Sequence, residues 1–219
     1  MRNSGKNYDR LARLYDKTAH LYSGGQIHAL KTAQAHELRP GERVLYAGVG
    51  SGEDAVIAAA RPIELTILDA SPGMIEQASQ SIATAGRIGS VEILCSDVLQ
   101  HDRQDYYDVI VANFFLNIFS EDDMIVVLGH LAKMLKPGGR LMIGDFSHPR
   151  GSLFERTTQR FYYLLSMTSF WLLGGTTLHP IYDYQRFIGD AELRSVSVRQ
   201  FKVSAVFPAS FETIVATKN

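Results

Sequence analysis

One cysteine, Cys95, stands in a chain of 219 residues, so no internal disulfide can form and no metal cluster can be assembled on thiolates. That scarcity fits a reducing compartment. An excess of either charge is equally missing, because 22 Lys and Arg face 23 Asp and Glu for a formal net charge of −1. So even a balance gives no electrostatic reason to expect DNA, RNA or an acidic lipid surface as the main partner, although it leaves room for a local basic patch. Nor does any apolar run reach the ~20 residues that cross a bilayer. The longest, Phe161 to Gly175, is broken by Ser166, Thr168 and Ser169 and reads as a cap or interfacial element. Its aromatic side chains, Phe161, Tyr162, Tyr163, Phe170 and Trp171, are types that settle at a membrane surface, so a peripheral contact stays compatible with the sequence. Met1 to Arg10 is polar and lacks the core of a secretory signal, which makes a cytoplasmic address the default expectation.

What is present is ordinary globular composition, 46% hydrophobic and 21% charged, which argues against disorder, collagen-like repeats and a disulfide scaffold. No internal repeat or low-complexity linker divides the chain, and its length suits one α/β domain. Apolar runs too short for helices alternate with stretches of helical period, the pattern of a parallel sheet covered on both faces. Strands are expected at Arg43–Ala47, Glu64–Leu68, Val91–Cys95, Tyr107–Ala112, Arg140–Gly144, Ser195–Val203 and Phe211–Thr217. Helices are expected at Ile27–Leu38, Glu53–Ala60, Pro72–Ala83 and Asp122–Leu135, the last ended by Pro137-Gly138-Gly139. Ser71-Pro72 supplies a capping serine with proline in the first turn. After Gly144 the alternation lapses over roughly 146–190, where a substrate cap would sit.

The chemistry begins at Val44-Leu45-Tyr46-Ala47-Gly48-Val49-Gly50-Ser51-Gly52, a strand running into Gly-x-Gly-x-Gly and then a helix. Glycines at a first strand's carboxyl end let the backbone turn sharply and a ligand approach closely. The third glycine comes one residue earlier than in the dinucleotide fingerprint, and the helix opens with Glu53 and Asp54, whose charges would repel a pyrophosphate. A nicotinamide or nucleotide-sugar enzyme is therefore disfavoured. Asp69, about 20 residues further on at the end of the second strand, can accept hydrogen bonds from both hydroxyls of a ribose. At the end of the third strand, Asp97 can receive an adenine amino group while Val98 packs on the ring. The alternative for both aspartates is a loop or helix-capping role.

With these marks in place, the chain resembles the class I S-adenosylmethionine-dependent methyltransferases over nearly its whole length. The resemblance rests on Gly48-x-Gly50-x-Gly52, Asp69 followed by Ser71-Pro72-x-Met74, Asp97-Val98, Tyr107-Asp108-Val109-Ile110-Val111 and the run Leu131 to Gly139. Upstream, Tyr15-Asp16 and Tyr22-Ser23-Gly24-Gly25 are similar to the N-terminal helices of the ubiquinone and menaquinone methyltransferase branch, which makes residues 1–40 a helical lid over the cofactor. The branch implies a Rossmann-like sheet of order 3-2-1-4-5-7-6 with strand seven antiparallel, S-adenosylmethionine as cofactor and a lipophilic, quinone-like ring as acceptor. It places Tyr15, Tyr46, Gly48, Gly50, Gly52, Asp69, Met74, Asp97, Val98 and Asn113 around the cofactor. One departure stands out: the family carries Asp or Glu where this chain has Tyr46. Loss of that acid removes a counter-charge from the cofactor's ammonium group, which then gives up its proton more readily and becomes a nucleophile. YAGVGSGED, Asn113 to Asn117 and His179 to Tyr184 resemble the rhodoquinone-biosynthesis group. That likeness implies donation of the amino group of S-adenosylmethionine to a ubiquinone with the help of a divalent metal such as manganese. Tyr46 as a tolerated exchange in an ordinary methyltransferase, and a non-catalytic S-adenosylmethionine-binding protein, are the alternatives.

Ligands of open α/β sheets bind at the carboxyl ends of strands near the switch in strand order, which points Asn113 and Asp145 into the crevice. Methyl transfer to a phenolic oxygen or an activated ring carbon needs in-line geometry and at most one base. Asp145, His148 and His179 are the catalytic candidates, the histidines because their ordinary pKa near 6.5 suits neutral conditions. Asp145, His148 and Asp183 offer hard ligands for a metal, but at no recognised spacing, and no metal site is assigned.

Overall fold

The computed structural model of the chain describes residues 23–174, 181–203 and 210–219, and side chains at 165–174 lie outside that description. Helix α1, Gln26–His36, precedes the first strand β1, Arg43–Ala47. Then follow α2 (Glu53–Ala59), β2 (Glu64–Asp69), α3 (Pro72–Ala85), β3 (Ser90–Cys95), β4 (Tyr107–Asn113) and α4 (Glu121–Met134). The second half contains β5 (Leu135–Phe146), α5 (Leu153–Gly174), the short α6 (Gln185–Ile188), β6 (Leu193–Phe201) and β7 (Phe211–Lys218). Among the described residues the strands form one seven-stranded sheet in the order β3-β2-β1-β4-β5-β7-β6, as the resemblance implied. Strands β1 to β5 run parallel, whereas β7 lies antiparallel between β5 and β6.

Period-two alternation along β1 builds both faces of this sheet. Val44 and Tyr46 turn towards α2 and α3, where they meet Ala55, Ala58, Ile75 and Ala78. Leu45 and Ala47 turn the other way, towards Met124, Val127, Leu128 and Leu131 of α4. Two local devices fix the helices nearest the crevice. Ser71 Oγ accepts the Met74 N–H with Pro72 in the first turn of α3, and Ser120 Oγ accepts the Asp123 N–H at the start of α4. A third, smaller cluster of Leu30, Phe146, Tyr163, Phe201 and Phe211 closes the β5–β7 end.

Three boundaries differ from expectation. Pro137-Gly138-Gly139 does not end α4 by itself. The helix stops at Met134, and Leu135 already pairs with Tyr107, while the register jumps from Tyr107↔Leu135 to Val109↔Arg140, so residues 136–139 are extruded as a bulge within β5. Strand β6 begins two residues earlier than Ser195 and ends at Phe201, with its own irregularity between Ser195 and Ser197. The apolar stretch from Phe161 is the second half of α5, whose 22 residues start at Leu153.

Candidate active site

The parallel strands deliver their carboxyl ends to one edge of the sheet, and the order reverses between β1 and β4, where a crevice opens. Past Ala47 the backbone folds sharply, with the N–H groups of Gly48 and Val49 both donating to Leu68 O at 2.9 and 3.0 Å. Gly50, at φ 55°, has nothing within 4 Å of where a Cβ would stand, so the bend faces open space there. Gly52 answers a different need. A Cβ on it would come 2.6 Å from Ala78 Cβ, so its absence lets α2 and α3 approach.

Asp69 at the tip of β2 turns towards this bend. Its Oδ2 accepts the Gly50 N–H at 3.0 Å and its Oδ1 accepts the Ser71 N–H at 2.9 Å. Each oxygen keeps a further lone pair, so a half-exposed carboxylate remains able to accept from hydroxyls. The tip of β3 abuts it through Ser96 N–H to Asp69 O at 3.1 Å. There Asp97 is exposed and caps a short 3-10 turn, accepting Leu99 N–H at 2.8 Å, while Val98 is turned into the core. Met74 is half-buried in the first turn of α3.

Tyr46 is buried, and its hydroxyl has no hydrogen-bond partner among the described residues. Burial, and next the negative charge of Asp54, push its pKa well above the usual phenol range, so it is a neutral group. Asp54 itself is marked in the sequence only as one of two helix-start charges that would repel a pyrophosphate, not as a group of the site. It is buried against Asn113, whose Nδ2 donates to Asp54 Oδ2 at 2.8 Å, with Lys31 Nζ 3.9 Å from the other oxygen. The chain thus lacks an acid at the β1 tip but carries one on the adjacent helix. Asn113 Oδ1 is buried and without a described partner. Gly144 makes room for that amide, since a Cβ there would lie 2.3 Å from Asn113 Oδ1. Immediately beyond, Phe114 adopts φ 51°, a left-handed conformation costly for a bulky side chain and the kind of strain that collects at functional sites.

The catalytic candidates lie at and just beyond the tip of β5, beside the start of β7. Asp145 is buried, with Oδ1 accepting from Asn117 Nδ2 at 2.8 Å and from Phe146 N–H at 2.7 Å, and Oδ2 accepting from the Tyr184 hydroxyl. Burial pushes its pKa up to about 7, with Glu212 on the paired strand adding to the rise. Glu212 is also buried and raised by desolvation. Ser147 Oγ donates to its Oε2 at 3.0 Å, Arg150 lies 3.5 Å away, and its Oε1 has no described partner. His148 Nδ1 is buried and unpartnered among the described residues. Burial first, then Arg150, Arg156 and Arg186, hold this ring below its ordinary pKa against the pull of Asp183, so it is neutral and able to take a proton near pH 7.

Tyr46, Gly48, Gly50, Gly52, Asp69 and Asn113 are therefore gathered around one bend, with Met74, Asp97 and Val98 on its β2–β3 side and Asp145 and His148 beyond Asn113. Tyr15 and His179 lie outside the described residues. Asp54, Asn117, Tyr184 and Glu212 are the site groups the sequence did not reveal. Two of the three side chains offered for a metal are otherwise engaged, since Asp183 pairs with Arg150 at 2.7 Å and Asp145 is bonded through both oxygens. Among the described residues no group of three or more His, Cys, Asp or Glu gathers to hold an ion. The organic cofactor fits the residues present: open space over Gly50, a carboxylate with spare lone pairs at Asp69, and two orphaned oxygens at Tyr46 and Asn113.

A methyltransferase-domain family model matches residues 44–139, which run from β1 through the bulge that opens β5. The chain is 29% identical over 205 residues to a ubiquinone/menaquinone biosynthesis C-methyltransferase of Geotalea daltonii, covering 90% of this chain and 83% of that protein. Against a demethylmenaquinone methyltransferase of Clavibacter sepedonicus it is 30% identical over 151 residues, 68% of this chain but only 60% of the relative. The structure of a magnesium protoporphyrin IX methyltransferase from Synechocystis PCC 6803 with bound SAH superposes with a TM-score of 0.68 at 18% identity, over 99% of this chain and 96% of that one, a likeness of fold. Sheet order, the domain matched over residues 44–139 and the relatives agree: this chain has the Rossmann-like methyltransferase fold and is an S-adenosylmethionine-dependent transferase.

Proposed function

We propose that the chain transfers a methyl group to a lipophilic, quinone-like ring. The observation that carries this reading is His148, its buried Nδ1 without a partner among the described residues, standing two residues after Phe146, which belongs to the aromatic cluster with Tyr163, Phe201 and Phe211. Edge-to-face packing of these buried rings, such as Phe146 on Tyr163 with centroids 5.4 Å apart, gives the tip of β5 an apolar backing that suits a planar acceptor. The relatives named for quinone biosynthesis support the same class of acceptor.

When bound, S-adenosylmethionine supplies a methyl group on a positively charged sulfur. In this reading Asp69 accepts from the ribose hydroxyls and Asp97 from the adenine amino group. Asp54, Tyr46 and the Asn113 amide oxygen form an all-acceptor lining for the amine, with Asp54 as its counter-charge. His148 takes the acceptor's proton, and the aromatic walls orient the ring and exclude water. The chain acts as one cofactor-binding domain with a cap over about 146–190; of the lid expected over 1–40, residues 1–22 lie outside the described residues, as do 175–180 of the cap.

A second reading, transfer of the cofactor's amino group to a methoxy-bearing quinone with a divalent metal such as manganese, is favoured by Tyr46 in the acid's place. Asp54 weighs against it, because it returns a carboxylate to the neighbourhood of that phenol. Incubation with S-adenosylmethionine and a short-chain ubiquinone or its demethoxy analogue, with and without manganese, followed by mass spectrometry, tests both. A product heavier by one methyl supports the first reading, exchange of methoxy for amine supports the second, and unchanged acceptors in every arm defeat both.

A further inference from the structure

Helix α5 presents two apolar faces. Its inner one packs Tyr163 against Phe146, with the Tyr163 hydroxyl donating to Ser147 O, at the tip of the strand that carries His148. Its outer one should be polar on a surface helix, and it is not. Leu153, Phe154, Phe161 and Leu164 are 80%, 79%, 67% and 60% exposed. The spacing 153, 157, 161, 164 puts Leu153, Phe161 and Leu164 on one stripe with Thr157, whose hydroxyl is turned back onto Leu153 O at 2.8 Å. A single large exposed side chain needs no explanation, but a stripe of this kind marks a contact surface.

The charges beside the stripe identify what it touches. Arg156, Arg160 and Lys202 are exposed around it. Glu155, held in a capping box by Ser152 N–H at 2.7 Å and Ser152 Oγ–H at 2.9 Å, stays charged near Lys202, so the excess of cations beside the stripe is Arg156 and Arg160. Leucines and phenylalanines flanked by cations fit an anionic bilayer surface, with the rings at the level of the headgroups. A second copy of the chain fits less well, since a two-fold contact would bring the same cations together. No helix among the described residues is long and apolar enough to cross a membrane, so the contact is peripheral.

We propose that the outer face of α5, centred on Leu153, Phe154 and Phe161, docks the protein on an anionic lipid surface and thereby sets the acceptor side of the crevice against the bilayer from which a lipophilic acceptor arrives. The docking stands on the exposed face alone, and the delivery of acceptor rests on the function proposed above.

The test is co-sedimentation of the full chain with vesicles of phosphatidylcholine, and of phosphatidylcholine mixed with phosphatidylglycerol. Wild type is expected on the mixed vesicles. Phe154→Glu and Phe161→Glu together are expected to lower partitioning about tenfold or more on them. Arg160→Gln should lower it about fivefold at low salt, an effect that added salt erases. All three positions are solvent-exposed, so unfolding curves should match wild type. Wild type that stays in the supernatant of both vesicle types, or glutamate variants that sediment as well as wild type, overturns the proposal. So does a concentration-dependent dimer that the glutamates abolish in place of vesicle binding. Failure of wild type to turn over any quinone while vesicle binding follows the pattern above would defeat the proposed acceptor and leave the docking surface standing.

Discussion

The two ends of the crevice are built in opposite ways. On the cofactor side, the bend after β1 is held by neighbours in sequence or on adjacent strands: Gly48 and Val49 on Leu68 O, Gly50 on Asp69, Ser71 on Asp69. On the acceptor side, Asp145 is held by Asn117 and Tyr184, and Glu212 by Ser147 and Arg150, across separations of up to 65 residues. In the first region Asp69 is half-exposed and Asp97 exposed, with only Asp54 buried, whereas the second region buries both of its carboxylates. Local backbone devices create a site that accepts hydrogen bonds, whereas long-range packing creates one that stores protons.

The sharpest break of that contrast uses pH. Asp145 has an ordinary pKa of 3.8 and a folded value of about 7, so the native state keeps a proton that the unfolded chain releases between those limits. Its contribution is therefore full below the unfolded value and lost as pH rises through about 7, a change on the order of a few kcal/mol. Denaturant unfolding of wild type should show stability falling over that window, and Asp145→Asn, which carries no titrating proton, should flatten the fall. A wild-type profile already flat from pH 4 to 8 would remove the proton-storing description.

On the other side, Asp69→Ala should weaken SAH binding about a hundredfold by calorimetry, because charge-assisted hydrogen bonds to two hydroxyls are lost. Binding as tight as wild type would move the ribose elsewhere. Asp54→Asn is expected to cost about tenfold in SAH affinity while leaving 5′-methylthioadenosine, which lacks the amine, unaffected. An equal loss for both ligands would make Asp54 a packing residue. Tyr46→Phe carries the smallest effect. Removal of an unpartnered hydroxyl should change stability by less than about 0.5 kcal/mol and SAH affinity a few-fold at most. A large loss of stability would mean that the phenol has a structural partner.

The same division decides what could be read from the sequence. Arg43–Ala47 was located to the residue, and the start of α3 followed from Ser71-Pro72, because strand patterning and caps are written in consecutive residues. Asp69 at the bend was legible for that reason. Strand β6 was misplaced by two residues because it is an edge strand, Arg194 to Gln200 all exposed, with no in-and-out alternation to read and a register dictated by β7. The bulge at 136–139 was hidden because Pro-Gly-Gly signals a break without saying that pairing has already begun at Leu135. Glu212 and Tyr184 carried no local mark, and their roles arise only when the chain brings them to Asp145. Asp54 had a mark that served another explanation: an acid in a first helical turn is ordinary, and only its burial against Asn113 sets it apart.

The position of β7 has a consequence for how the molecule comes into being. It follows β6 in the chain yet lies between β6 and β5, so β6 has no sheet neighbour until residues 211–218 have left the ribosome. Strands β1 to β5 are by then already synthesised and can pair among themselves, with mostly parallel, helix-bridged connections. The half that carries the glycine bend can thus take shape during translation, and the other half is finished by one late insertion that seats Glu212 opposite Asp145.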